Sequence, residues 1–466
     1  MEDEWQTTTL GKIVKDGSGF IQTGPFGSQL HASDYVKDGI PVVMPVNLAD
    51  NRVNLTDIAR ITEEDASRLS KHLVKKGDIL YSRRGDVTRK ALITDSEVGM
   101  FCGTGCLLVR PGNKIDPRFL AYHLSSPKNQ EWIIRHAIGA TMPNLNTGIL
   151  SDVPLRVPSR ALQRAIAHIL GSLDDKIKLN RQMNATLEAM AQALFKSWFV
   201  DFDPVIDKAL AAGNPIPEPL RKKVEARQAL GDKRKPLPTE VAQYFPDRFI
   251  FSEEMGWVPE GWGESVIGEE VETVGGGTPS TKDATFWEEG VHPFCTPKDM
   301  SALNSIVLVD TIRHLTDAGV NKISSGQLPK GVVLISSRAP IGYLAISDIP
   351  VSVNQGIIAM LPNQKYGSIY LLLWVHFNME AIQGRANGST FLEISKKNFR
   401  PIPFVVPPDE ITDFFNEQGK GIYNKMSFVS EQIQKLITLR DTLLPKLLSG
   451  QLRIPDAEKL IKEAMP

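Results

Sequence analysis

Between residues 5 and 157 the apolar positions come in short runs broken by glycine, proline and asparagine, as in Ile40-Pro41-Val42-Val43-Met44-Pro45-Val46 and Gly105-Cys106-Leu107-Leu108-Val109. Runs of this length bounded by turn formers predict a strand-rich α+β domain. One helix is expected to interrupt it, from Pro117 to His136, with proline near its start and Phe119, Leu120, Tyr122, His123, Leu124, Trp132 and Ile133 along it. From Ser159 the period changes. Apolar or small residues recur at Ile166, Ile169, Leu173, Ile177, Leu187, Ala191, Leu194 and Trp198, with Asn180 and Asn184 on the same seam. Spacings that alternate three and four form a coiled-coil stripe.

The same pattern is then written a second time, roughly 250 residues on, a period far too long for a solenoid repeat. Trp5, Leu10, Gly11 and Val14 are answered by Trp262, Ile267, Gly268 and Val271 at the same internal spacing. Lys76-Gly77-Asp78-Ile79-Leu80-Tyr81-Ser82-Arg83 is echoed by Lys330-Gly331-Val332-Val333-Leu334-Ile335-Ser336-Ser337-Arg338, and Gly105 by Gly356. Gly139-Ala140-Thr141 matches Gly388-Ser389-Thr390, and Pro154-Leu155-Arg156-Val157-Pro158 matches Pro403-Phe404-Val405-Val406-Pro407. The counterpart of the first domain's helix falls at Ile369 to Gln383.

The second copy also ends in a helical stripe: Ile422, Met426, Val429, Ile433, Leu436, Leu443 and Leu447, with Arg440 as the one charged intrusion. Pro445 should kink or end that helix, and Ser449-Gly450 should close it. Each stripe could be the core face of its own domain. Two matching stripes behind two matching domains favour packing against each other, antiparallel, so that the halves become pseudo-symmetric equivalents. The seam then consists of Ile169, Leu173, Ile177, Leu187 and Leu194 facing Met426, Val429, Ile433, Leu436 and Leu443. The fold class is α+β: two pseudo-symmetric α/β domains separated by two long antiparallel coiled-coil helices. Between the copies, residues 203–255 are rich in proline and charge, including Arg221-Lys222-Lys223 and Lys233-Arg234-Lys235, and read as a linker or irregular excursion. Interspersed Glu218, Glu225, Asp232 and Glu240 favour a solvated face over a nucleic-acid contact for these basic runs.

Composition narrows the function classes. A chain of 466 residues has room for two to four domains, and 42% hydrophobic with 23% charged residues is that of a globular protein. No stretch approaches the ~20 uninterrupted apolar residues of a membrane helix, and Met1-Glu2-Asp3-Glu4 is the reverse of a basic signal-peptide start, so a cytoplasmic location is expected. Cys102, Cys106 and Cys295 are too few for a disulfide framework, and no second Cys/His cluster completes a zinc site, so buried free thiols are expected and no metal. A net charge of −1 works against a simple DNA-coating protein, and any DNA contact must be local or shared with a partner. An adenine-methylation motif, a cofactor loop, a phosphate-binding loop and a nuclease carboxylate-lysine cluster are all missing, Pro455-Asp456-Ala457-Glu458-Lys459 being a polar tail that caps a short terminal helix.

The helical tails carry a resemblance. Leu439-Arg440-Asp441-Thr442-Leu443-Leu444-Pro445-Lys446-Leu447-Leu448-Ser449-Gly450-Gln451-Leu452-Arg453 resembles the C-terminal signature of type I restriction-modification specificity subunits. So does Leu173-Asp174-Asp175-Lys176-Ile177-Lys178-Leu179-Asn180-Arg181-Gln182-Met183-Asn184, followed by Ala189-Met190-Ala191-Gln192-Ala193-Leu194-Phe195-Lys196-Ser197-Trp198-Phe199-Val200-Asp201-Phe202. The resemblance spans essentially the whole chain and implies target-recognition domains at 1–157 and 256–408, helical spacers at 158–202 and 409–452, and a tail at 453–466. Two departures stand out: Gly419 and Gly421 weaken the first turns of the distal helix by ~1 kcal/mol each, and the excursion after Phe202 is long. The family implies a non-catalytic subunit that binds a bipartite, asymmetric DNA target. It docks two adenine methyltransferase subunits that use S-adenosylmethionine, and restriction subunits that use ATP and magnesium, with no cofactor on this chain. A specificity-like scaffold of another defence system, or a nuclease with an unrecognised site, are the alternatives. About 40 residues of helix at 1.5 Å rise span some 60 Å, ample to hold two readers one DNA turn, ~34 Å, apart.

Reading base edges requires forked or bidentate donors and acceptors, with shorter groups on phosphates. Three loops offer them. The first is Ser82-Arg83-Arg84-Gly85-Asp86-Val87-Thr88-Arg89-Lys90, with Arg83, Arg84, Arg89 and Lys90 as candidates and Ser337 and Arg338 in the second copy; ion pairs to Asp78 and Asp86 are the alternative. The second holds Thr141, Asn144 and Asn146, echoed by Ser389, Thr390, Lys396 and Lys397, against a plain helix-to-strand turn. The third, Gln22-Thr23-Gly24-Pro25-Phe26-Gly27-Ser28-Gln29, is matched loosely by Gly275-Gly276-Gly277-Thr278-Pro279-Ser280-Thr281-Lys282 and adds Lys282; as a phosphate cradle the glycine triplet is weak evidence, lacking a nucleotide loop's ending.

Overall fold

The structure, a computed structural model, describes residues 5–49, 51–139, 141–234, 237–388 and 392–464. The chain divides into two compact units, residues 1–177 with 435–466 and residues 178–434, and the division passes through both long helices. The acidic start Met1 to Glu4 lies outside the described residues.

In the first unit the central element is a four-stranded antiparallel sheet. It is built from β1 (Phe20–Thr23), β2 (Ile79–Ser82), β3 (Lys90–Leu92) and β4 (Cys106–Arg110), in the order β1-β4-β2-β3. Every residue of β2 is buried, so both faces of the sheet are covered, which is why the run reads as continuously apolar rather than alternating. A second sheet contains Ile40–Val43 and Ala59–Ile61. Gln6–Thr9 pairs antiparallel with Pro154–Val157, bringing the two ends of the domain together. Cys102 and Cys106 are buried free thiols, as is Cys295 in the second unit. The tail is a helix, Ile454–Ala464, with Ala457 fully buried, and Gly450, at φ +77°, closes the helix before it.

The helix expected from Pro117 to His136 is two helices, Pro117–Ser125 and Pro127–His136. Pro127 cannot donate to the preceding turn, and Ser126 instead caps the second helix through Asn129 N–H. Its counterpart breaks too, into Ser368–Phe377 and Met379–Gly384 around Asn378.

The second unit repeats the plan with one more strand. β5 (Thr273–Gly275), β6 (Val307–Leu308), β7 (Val333–Ser337), β8 (Ile341–Ser347) and β9 (Ile357–Met360) lie in the order β5-β9-β7-β8-β6, and Gly263–Val266 pairs with Pro403–Val406 as the domain's clasp. Residues 203–255 are not a linker. They fold into helices Asp203–Ala212, Arg221–Ala229 and Thr239–Ala242 and half of a hairpin, with Val205, Val241 and Phe245 in the core of this unit and Ile206 and Ala209 buried as well. Phe245 meets Trp198 edge-on at 5.5 Å, and Phe202 meets Trp262 at 5.7 Å. Several charges there pair with one another, Arg227 with Asp207 at 2.7 Å and Arg221 with Glu218 at 2.6 Å.

The long helices are Arg160–Phe195, continued by a π-helical turn Lys196–Val200, and Asp409–Ser449. They pack together, and in the second unit the contacts run antiparallel, Asn180 to Gln432 at 3.3 Å and Asn184 to Ser430 at 2.9 Å. Ile169, Leu173, Ile177, Met426, Val429, Leu436 and Leu443 are buried, and Leu187, Leu194 and Ile433 are half-buried. The distal helix runs through Pro445 rather than ending there, and through Gly419 as well. At Gly419 an added Cβ would lie 3.3 Å from Ile369, so the missing side chain lets the helix approach its domain. Arg440 is no stray charge: in the first unit it donates to Asp174 at 2.8 Å, and Asp174 also accepts from the Tyr122 hydroxyl at 2.5 Å. Among the described residues, no helix is long and apolar enough to cross a membrane.

Two buried polar groups generate predictions. His72 is buried against Phe101 with neither ring nitrogen hydrogen-bonded, and burial together with Lys71 depresses its pKa to about 4. The unfolded chain therefore binds a proton below about pH 6.5 that the folded chain refuses until about pH 4. Stability should fall through that window, by roughly 2 kcal/mol at pH 5 from this group. His72→Leu should show a smaller loss of stability between pH 7 and pH 5 in denaturant titrations, and an unchanged loss would refute the assignment. In the seam, Asn184 is fully buried with its Oδ1 unpartnered. Asn184→Leu should stabilise the second unit by about 1 kcal/mol, the relief of an orphaned buried acceptor, ~1–3 kcal/mol, outweighing the lost bond to Ser430, ~0.5–1.5 kcal/mol; a lower unfolding midpoint would show the amide to be a net stabiliser.

Candidate nucleic-acid interface

In an antiparallel sheet the ends of alternate strands meet at one edge. β1 finishes at Thr23, opposite Leu107, and β2 finishes at Ser82, opposite Cys106. The loops after β1, after β2 and before β4 therefore leave the same end of the first domain's sheet. The second domain repeats this: Gly275 is opposite Ile358 and Ser336 opposite Ile357, so the loops after β5, after β7 and before β9 share one end. The remaining loop is tied to that end by backbone bonds. Ile138 and Asn144 exchange N–H···O bonds of 3.0 and 2.9 Å, Asn144 forms a bridge with Arg84, and Leu145 N–H donates to Arg83 O at 2.8 Å. In the second domain Asn387 and Glu393 exchange bonds of 2.9 Å, Glu393 bridges to Arg338, and Ile394 N–H donates to Ser337 O at 3.0 Å. All three loops singled out by sequence thus converge, once in each domain.

These bonds also correct the pairing of the copies by one residue. Arg83 N–H donates to Gly105 O, as Ser337 N–H does to Gly356 O, so Arg83 corresponds to Ser337 and Arg84 to Arg338. Arg84 is exposed, with no ion pair among the described residues, and Arg83 is half-buried with its Nε unpartnered. Arg89 pairs with Asp86 at 3.3 Å, whereas Asp78 is taken from inside the sheet by Arg110 at 2.6 Å. Lys90 is not on the surface. It is buried in β3 with Nζ 2.5 Å from Ser125 Oγ, and burial, opposed by Asp174 and aided by Arg440, pulls its pKa down to about 8. Ser337 is likewise buried, inside β7. The alternation of β3 with its neighbours, which turns Lys90 inward, is invisible in so short a strand.

Thr141 is exposed and Asn144 half-buried, but Asn146 is a helix cap, its Oδ1 accepting from Ile149 N–H at 2.8 Å. Lys282, Lys396 and Lys397 are exposed. Lys396 Nζ would lie 3.3 Å from a Cβ on Gly275, which brings it to the glycine-rich loop. Arg338 faces Glu393, Nη1 to Oε2 at 3.7 Å. Ser389 and Thr390 lie outside the described residues. The glycines have a backbone reason: a Cβ on Gly276 would sit 1.7 Å from Val353 O, and one on Gly24 1.9 Å from Gly103 O. They permit two chain segments to cross at the sheet end, a role that needs no phosphate. Sequence reasoning missed the apolar residues on the same loops, Phe26, Ile138, Met142 and Leu392, each more than half exposed. No period marks such residues, because their exposure is set by the loop's tertiary bonds. Among the described residues no group of three or more His, Cys, Asp or Glu could hold a metal ion.

Comparisons with known proteins find the same duplication. The family described as type I restriction modification DNA specificity domain matches residues 2–189 and 259–439, once for each copy. The chain is 30% identical over 440 residues to the HindI specificity subunit of Haemophilus influenzae, covering 88% of this chain and 95% of that protein. It is 23% identical over 475 residues to the MjaIX specificity subunit of Methanocaldococcus jannaschii, covering 98% of each. In fold it is similar to the crystal structure of the type I restriction-modification S subunit from M. genitalium, with a TM-score of 0.51 at 17% identity over 96% of each chain. Matched in both halves and along nearly the full length of a relative, the chain belongs to the type I restriction-modification specificity subunits, the non-catalytic members of those systems that carry recognition of the DNA target.

Proposed function

We propose that the chain reads a split, asymmetric stretch of duplex DNA, residues 1–157 contacting one half and residues 256–408 the other. The observation that supports this most is repetition without identity. The same loops leave the same end of each sheet, held by the same main-chain bonds, yet Arg84 and Asn144 in one copy stand where Arg338 and Glu393 stand in the other. Base edges in the major groove differ in their donor and acceptor order, so two such sets suit different sequences. Arg83, Arg84, Arg89, Thr141 and Asn144 act in the first half, and Lys282, Arg338, Lys396 and Lys397 in the second. With a net charge of −1, the affinity rests on these local cations and on partners rather than on a basic surface.

The partners in this reading are two modification subunits, adenine methyltransferases that bring S-adenosylmethionine, and restriction subunits that use ATP and magnesium, in the cytoplasm. Family membership supports the assembly, and the helices supply a surface for it. Leu179 and Met190 on the central helix and Phe428 on the distal helix are each more than half exposed, while the seam is consumed by the pair itself. We assign the modification subunits to that outer face.

Arg338→Ala should weaken methylation or relax specificity in one half-site only, by ~1–3 kcal/mol for a bidentate base contact. Competition between duplexes varied in each half measures it, and equal effects on both halves would contradict the two-reader assignment. Leu179→Asp combined with Met190→Asp should leave the circular dichroism spectrum intact but prevent co-purification of the methyltransferase, because each substitution places a charge where an apolar contact is lost. Retained co-purification would move the dock elsewhere.

A further inference from the structure

We propose that Glu393 is a specificity-determining residue and that, together with Arg338, it reads a single G·C pair in the half-site of the second domain. The inference rests on the reading that this loop contacts bases. Its ground is the position of Glu393: the exposed residue bridged to the shared arginine, paired with Asn387 at the base of its loop and followed in sequence by the exposed Lys396 and Lys397. A carboxylate there is repelled by phosphate, which disfavours it on a DNA-facing loop unless it accepts from an amino group of a base. As an ion pair it does little for the fold, since it is one contact of 3.7 Å between side chains that are both more than a third exposed.

The pair has the geometry of one base-pair edge. In the major groove a G·C pair displays the acceptors N7 and O6 of guanine beside the N4 amino group of cytosine. O6 and N4 are themselves joined by a hydrogen bond, about 2.9 Å apart. Arg338 Nη1 and Glu393 Oε2, 3.7 Å apart, set a donor beside an acceptor at nearly that spacing. The arginine fork takes O6 and N7, and the carboxylate accepts from the one N4 hydrogen that the base pair leaves free. No other Watson–Crick pair shows two adjacent acceptors followed by a donor in this order. The corresponding place in the first domain holds Asn144, an amide with both a donor and an acceptor, which suits adenine N6 and N7. The two halves thus differ in chemistry at the one position where the scaffold is most alike.

The test maps the sequence methylated by the complex of this chain with its modification subunits, for the wild type, Arg338→Ala, Glu393→Gln and Glu393→Ala. Arg338→Ala identifies the half-site of the second domain. That half should contain an obligatory G·C pair. Both Glu393 variants should relax discrimination at that pair by about tenfold or more, leaving the other positions and the other half-site unchanged. An unchanged map for both Glu393 variants, with Arg338→Ala still altering one half, overturns this inference alone. If Arg338→Ala also changes nothing, the base-reading assignment of the loop fails first. Methylation lost at every sequence with assembly intact also overturns the inference, because Glu393 would then support DNA binding as a whole.

Discussion

A single backbone hydrogen bond recurs at the loop-bearing end of each recognition domain's sheet: Leu145 N–H to Arg83 O at 2.8 Å in one, Ile394 N–H to Ser337 O at 3.0 Å in the other. It fastens the base of one loop to the end of a strand, beside the shared arginine. A main-chain bond does not depend on the side chains of the residues it joins. The loop therefore keeps its place while Asn144 is exchanged for Glu393, or Arg83 for Ser337. A recognition protein needs such a division, with position held by groups that cannot mutate and readout left to groups that can. The glycines at 24 and 276 serve the same end, removing the Cβ atoms that would keep the neighbouring loops apart.

The domains are held to the long helices by carboxylates used in opposite senses, Asp174 half-buried and Asp348 buried. In the first unit Asp174 belongs to the central helix and accepts from Tyr122 of the domain and Arg440 of the distal helix. In the second unit Asp348 belongs to the domain and accepts from Tyr423 at 2.8 Å and Ser427 at 2.5 Å on the distal helix, with Lys330 at 2.8 Å. These hydrogen bonds hold the Asp348 carboxyl below the usual carboxylate range, against the opposing effect of burial. Removing one partner of such a group is more disruptive than the net worth of the pair, because an uncompensated charge is left behind. Fixed attachment of this kind suits sites that must hold their geometry on a rigid element.

Much of this was legible in the residues. The duplication, the α+β class and both helical stripes follow from spacing, because burial of a helical face imposes a period that survives in sequence. Other features follow from tertiary contacts that no local pattern records. Residues 203–255 look like a linker by composition, yet Val205, Val241 and Phe245 fill the core around Trp198 and Trp262. Lys90 looks like the last member of a basic loop, yet it is the first residue of a buried strand. The repeated run sets Arg338 against Arg83, and only the hydrogen bonds to Gly105 and Gly356 show that Arg84 is its equivalent. Pro127 divides a stretch that the pattern reads as one helix, while Pro445 lies inside a helix that it was expected to kink or end, since a proline interrupts one helix and is accommodated inside another.

The central claim is that two independent readers share one chain. The most direct measurement is the methylated sequence directed by a chimera in which residues 1–157 are replaced by the corresponding segment of another family member with a known target. The account predicts that one half of the recognised sequence changes to that of the donor while the other half is kept. An unaltered target, or a change in both halves, would contradict it.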